Sequence, residues 1–215
     1  MAITQVQFKD SPGATAATLA FPSNNTAGNL LVLAARKSIN SQPTDTAGNT
    51  WLLAKTQPTM DIWYVPNCLG GANTVQAQNS NEFIIAEFSG MPISGGLTQT
   101  NGASGSGTVY AAGSVLTTSS NALIIGGVCN ESADGIFDTP SGGFTEIGSG
   151  NGNAFMAKMI VSSIGTYSYG GTLSTTVSWN AAVAVFIGAS QPVAAGGGGW
   201  LNTHRDFVNK RGIYQ

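Results

Sequence analysis

The sequence predicts an all-β protein: an antiparallel, jelly-roll-like β-sandwich over residues 1–189, a Gly-rich linker over 190–199 and a short helical or extended C-terminal arm over 200–215. Three observations carry that expectation. Short runs of β-branched, aromatic and aliphatic residues recur, each bounded by Gly, Pro, Asn, Asp or Ser. No segment of helical period and length occurs before residue 200. The 215 residues suffice for one β-domain of the larger kind.

About a dozen strands are expected, in this order. "ITQVQF" (3–8) alternates apolar and polar positions, but Ile3 shares a face with Gln5 and Gln7, opposite Val6 and Phe8. A bulge or a half-covered edge strand resolves the conflict. "ATLAF" (17–21) follows, then "NLLVLAARK" (29–37), whose nearly continuous apolar run fits a central strand buried on both sides. "TWLLAKT" (50–56), "DIWYV" (61–65) and "TVQAQ" (74–78) lie at spacings that favour antiparallel neighbours. After "EFIIAEFSG" (82–90), a neutral Gly/Ser/Thr-rich stretch through residue 107 reads as a long surface loop. The later strands are "SVLTT" (114–118), "ALIIGGV" (122–128), "GFTEIG" (143–148), "AFMAKMIVS" (154–162), "LSTTVSW" (173–179) and "AAVAVFIGA" (181–189). In "AFMAKMIVS" the two-residue period puts Phe155, Ala157, Met159 and Val161 on the face expected to be buried.

Composition narrows the function. Charged residues are 8% of the chain, where roughly a quarter is usual, so the surface must be built from small neutral polar groups. Low charge weakens repulsion between copies and lowers the desolvation cost of packing them, which suits repeated subunit contacts or an adhesive surface. A net charge of −2 gives no general attraction to nucleic acid. "MAITQVQF" has neither a basic nor a continuous apolar region, so no signal peptide is expected, and the longest apolar runs fall far short of the roughly 20 residues of a membrane span. Cys68 and Cys129 lie 61 residues apart without metal-ligand spacing, which leaves two buried free thiols or one disulfide.

"NTAGNLLVLA" from Asn25 and "DTAGNTWLLA" from Asp45 echo each other. Each reads as a turn in which Asn or Asp bonds back to the backbone and Gly takes a positive φ; "DTAGNT" lacks the second carboxylate of a calcium loop. The order "AGNLLVLAARKS", "DTAGNTWLLAKT", "DIWYVPNCLGGANTVQAQ", "FIIAEFSG" resembles a widespread group of bacterial and phage-associated β-sandwich proteins that has no agreed activity. Its members typically show an N-L-L strand, a D-x-x-G-N-[TS] turn, an aromatic strand before G-G-A-N-T-V, and an acidic-aromatic-S-G strand end. The resemblance covers residues 15–90 and implies a sandwich fold; it carries no catalytic residues over.

Catalytic constellations are wanting. His204 is the one histidine, and no G-x-S-x-G elbow is present to build a nucleophilic triad. Asp61, Glu82, Glu87, Asp134 and Asp138 would have to converge to make a carboxylate pair; solvated strand ends and loops are the simpler reading, and Glu82 and Glu87 fall on opposite faces of a regular strand. One His, two distant Cys and scattered carboxylates match no metal pattern, and "GSGNGN" (148–153) is a hairpin loop, not a phosphate cradle. No catalytic residue, metal or cofactor is therefore assigned. Exposed aromatics on a neutral sandwich could seat a sugar, with Trp63 and Tyr64 the candidate contacts because they point to opposite faces, although most of the rings, Trp51 and Trp179 included, are expected to fill the core.

The arm is the segment that asks for a partner. Trp200, Leu201, His204, Phe207 and Val208 form one helical stripe, with Arg205 and Lys210 opposite and Arg211 and Tyr214 closing the chain. So short a helix is marginal alone and needs a surface to dock on, either a neighbouring copy or other protein or its own sandwich. The arm carries a local charge of +2 against −4 for the remaining 199 residues, and its linker of about ten residues spans about 17 Å. The expected function is a structural or assembly protein, a subunit or decoration protein of a phage particle or extracellular polymer, with copies of itself or another structural protein as partner. The alternative is a carbohydrate-binding or adhesive module with a glycan partner. Membrane and nucleic acid are disfavoured by the small basic cluster and the acidic body.

Overall fold

The computed structural model describes residues 1–12, 18–36, 42–78, 80, 82–131, 137–150 and 152–189. Fourteen strands form among them: β1 (Thr4–Asp10), β2 (Thr18–Ala20), β3 (Leu30–Arg36), β4 (Thr44–Asp45), β5 (Leu52–Thr56), β6 (Met60–Val65), β7 (Thr74–Gln76), β8 (Glu82–Ser89), β9 (Leu97–Leu116), β10 (Ala122–Asn130), β11 (Phe137–Pro140), β12 (Thr145–Gly150), β13 (Ala154–Val161) and β14 (Thr166–Ile187). One sheet runs β1-β8-β3-β6-β5, the other β11-β14-β10-β13-β12 with β9 also on β14, and a small third sheet runs β2-β7-β4. The pairings are antiparallel throughout. The sandwich is as expected, but its connectivity is not that of a jelly roll built from two Greek keys: one large sheet is complete at residue 89 before the other begins at 97.

Strict alternation builds the central core. Leu30, Val32 and Ala34 of β3 and Ile84, Ala86 and Phe88 of β8 meet Leu123 and Ile125 of β10, Met156 of β13 and Ala182, Ala184 and Phe186 of β14. The intervening residues face outward, yet they are covered too. Leu31, Leu33, Phe83 and Ile85 pack beneath Leu19 and Val75 of the small sheet together with Trp51. Ile124, Val128, Phe155, Ala157, Val183 and Val185 pack beneath Tyr110, Ala112, Val115, Tyr169 and Leu173. This second cover explains why β3 and β10 read as unbroken apolar runs: each is buried on both faces. Of the predicted buried set on β13, Phe155, Ala157 and Val161 are buried and Met159 is partly so; Ala154 and Met156 are buried as well, in the central core.

The stretch read as a surface loop is the first half of a longer strand whose second half, from Tyr110 to Val115, helps cover the second sheet. Residues 97–116 are instead one strand of 20 residues, and "LSTTVSW" and "AAVAVFIGA" belong to one strand of 22, the two pairing along nearly their full length. Asn101 Nδ2 donates to Ser114 O at 2.9 Å across 13 residues, a separation that would be roughly 43 Å on a straight strand. The ribbon is therefore folded back on itself, and its outer half lies over β10 and β13. Gly107 (φ 142°) lies in the paired break between Thr172 and Val177, where the ribbon turns. Glycine is favoured inside this strand because other groups occupy the space of its side chain: the Trp179 ring lies over Gly105, and at Gly102 an added Cβ would stand 2.9 Å from the Ala181 carbonyl oxygen. Asn101 and Gln99 also bond the Ser114 carbonyl and the Leu116 N–H, which caps the free edge of the folded half.

At the other end of the chain β1 is an edge strand with a bulge between Gln5 and Gln7, which buries Ile3 and leaves Val6 and Phe8 exposed. Both cysteines are free and buried. Burial raises the Cys129 thiol to about 12, and burial reinforced by nearby Glu87 and Asp45 raises Cys68 to about 11. At about pH 8 roughly one thiol in a thousand or fewer is then ionised. A thiol-specific disulfide reagent is expected to leave the native chain unlabelled at that pH and to label 2 thiols per chain once it is unfolded. Because both folded values lie above the ordinary thiol value, this contribution to stability is complete below about pH 9. It is lost as the pH rises toward 11–12.

Candidate functional site

Three loops meet at one end of the first sheet, and polar side chains tie them together. The loop over 25–29 wraps Glu87, whose side chain is fully buried (0% exposed) beneath it. Glu87 accepts hydrogen bonds from Asn25 Nδ2 (2.8 Å), the Thr26 N–H (2.9 Å), Asn29 Nδ2 (2.6 Å) and Gln7 Nε2. Four donors, none of them charged, thus hold one carboxylate in a dry site, an arrangement that fixes the loop and β1 on β8. The expectation that Glu82 and Glu87 are solvated is overturned. They do lie on opposite faces, but Glu87 sits beneath this loop and Glu82 pairs with Arg36 at 2.6 Å and accepts from Asn153 Nδ2 at 2.9 Å. Asp61 is buried as well, while Asp134 and the side chain of Asp138 lie outside the described residues.

The second loop is the "DTAGNT" turn. Asp45 Oδ1 accepts from the Asn49 N–H at 2.9 Å, and Oδ2 accepts from Asn49 Nδ2 (2.9 Å), the buried Trp51 indole N–H (3.0 Å) and Asn73 Nδ2 (3.3 Å). Gly28 and Gly48 take positive φ in the two echoed turns, as the repeat implied. Asp45 bonds back to its own turn, whereas Asn25 reaches across to Glu87. The third loop, 67–71, zips onto the first through Cys68 N–H to Asn29 O, Gly28 N–H to Cys68 O and two bonds between Asn25 and Gly71, and onto the second through Leu69 N–H to Asn49 Oδ1 (2.8 Å).

Between the second and third loops lies a hollow of about 290 Å³, open to solvent, whose wall includes Gly48, Thr50, Leu52, Val65, Pro66 and Leu69. Every residue lining it is uncharged. Leu52 and Leu69 stay 40% and 53% exposed at its rim. The hollow offers apolar contact framed by a rigid hydrogen-bonded lattice. Sequence reasoning missed it; the signal was Leu69, a leucine inside the polar turn "NCLGG".

The candidates drawn from the sequence fall elsewhere. Tyr64 faces the central core with its ring edge-on to Phe186 at 5.3 Å, while Trp63 is half-buried against the outer core and pairs with exposed Leu53. Trp51 and Trp179 are core residues. Trp200, Leu201, His204, Arg205, Phe207, Val208, Lys210, Arg211 and Tyr214 lie outside the described residues, as does the linker over 190–199. No group of three His, Cys, Asp or Glu arranged to hold a metal occurs among the described residues. Comparison of the chain with protein-family models, with curated proteins and with solved structures found no match.

Proposed function

We propose that the protein is a non-enzymatic structural subunit, a building or decoration element of a phage particle or extracellular polymer, joined to its neighbours through the arm at 200–215. The observation that carries this reading is how the buried acids are employed. Glu87 closes a loop and Glu82 pairs with Arg36, while the half-buried Asp45 holds a turn and an indole, so of the carboxylates weighed for catalysis Glu82 and Glu87 are engaged in holding the sandwich together. Among the described residues, three apolar clusters run between Ile3 and Phe186, which supports reading residues 1–189 as a body to which the arm is added. A body with so few charges is suited to close packing against copies of itself.

Carbohydrate binding is the weaker reading, because Tyr64 is committed to the core and Trp63 is left as a single half-buried platform. Electron microscopy of the concentrated full-length protein tests the assembly reading. Rings, shells or filaments of repeated sandwiches are expected, and separate single sandwiches at every concentration would remove it.

A further inference from the structure

We infer that the hollow between the 48–50 turn and the 65–69 segment is the acceptor for residues 200–215 of a second copy. The inference rests on the reading that the arm engages neighbours, and it names the surface engaged. Its volume of about 290 Å³ takes one indole or phenyl ring, and the exposed Leu52 and Leu69 at the rim extend the apolar contact to the rest of a stripe. The arm supplies such a stripe in Trp200, Leu201, Phe207 and Val208.

Charge agrees with shape. Asp45 and Glu87 stand close enough to Cys68 to act on its thiol, so the loops behind the hollow carry a negative field, while no lining residue is charged. The arm brings Arg205, Lys210 and Arg211 against Asp206. Position agrees as well. The last described residues leave the sandwich at the same end: the Ala189 N–H bonds Gly90 O, and the Ile187 N–H bonds Gly96 O at 2.8 Å. Gly95 lies against Pro66, where an added Cβ would stand 2.7 Å from the Pro66 Cβ, and Pro66 lines the hollow. Since Ala189 and the hollow share one end, two copies meeting there about a two-fold axis each present a hollow to the chain that continues beyond residue 189 of the other.

The test uses the full-length chain with a photoreactive phenylalanine analogue in place of Phe207, mixed as light and heavy-isotope copies and read by mass spectrometry after illumination. Cross-links joining light to heavy copies within residues 48–52 or 65–69 are expected. Leu69→Lys in the same chain, which replaces apolar contact with a charge of the arm's own sign, is expected to cut their yield about ten-fold with the melting temperature unchanged. Cross-links between copies at other surfaces overturn the acceptor while leaving the arm's role intact. Cross-links confined to single copies, or none, overturn both.

Discussion

Glu87→Ala is expected to cost about 3 kcal/mol or more of folding stability, because it strands buried neutral donors that each cost about 1–3 kcal/mol when left without an acceptor. In a chain of this size that corresponds to a melting temperature lower by roughly 10 °C or more. The carboxylate is fully buried and accepts from Asn25, Thr26, Asn29 and Gln7; its removal strands the Asn25, Thr26 and Asn29 donors, while Gln7 Nε2 keeps its bond to the Ser23 carbonyl. Glu87→Gln is expected to recover only part of the loss, because one of its two terminal atoms becomes a donor facing donors. Thermal unfolding followed by circular dichroism measures both. A Glu87→Ala chain that melts within about 2 °C of the parent would mean the network contributes little beyond packing.

Gly126→Ala is expected to cost about 3 kcal/mol, at the upper end of what an added methyl does in a packed core. The new Cβ would stand 2.4 Å from Cδ2 and Cε2 of Tyr169, a ring 1% exposed. That ring is boxed in by Tyr110 at 5.7 Å and Phe144 at 4.9 Å, so it has no room to swing aside. A double-mutant cycle separates this clash from other effects: in a Tyr169→Leu background the same substitution should cost less by at least about 1 kcal/mol. Equal costs in the two backgrounds would place the strain elsewhere. Gly127 is the contrasting neighbour, because its added Cβ meets the flexible end of Met60.

How much of this could be read from the sequence depends on what chose each residue. β3, β8 and β10 are legible because burial on both faces demands apolar runs. β9 is not. Its glycines sit where other groups approach closely, such as Trp179 over Gly105, and its Ser and Thr are mostly exposed, so the strand carries no hydrophobic period. The same reason hid the single length of β14. The turns of the site are legible from Asn, Asp and Gly at fixed offsets, while the role of Glu87 is not, because its partners come from residues 7 and 25–29, far away in the chain. A trace of it was present: Phe83, Ile85 and Glu87 share a face of β8, and an acid on an otherwise buried apolar face needs partners. The hollow depends on the meeting of two loops and left only Leu69 as a sign.

The central claim is that the sandwich is a self-sufficient body and that the arm joins it to its neighbours. Sedimentation velocity of the full-length chain beside a chain ending at Ser190, over one concentration series, tests it most directly. The account predicts that the full-length protein forms assemblies, and that the shortened chain sediments as a single copy with the melting temperature of the parent. A shortened chain that assembles as fully as the parent would contradict it.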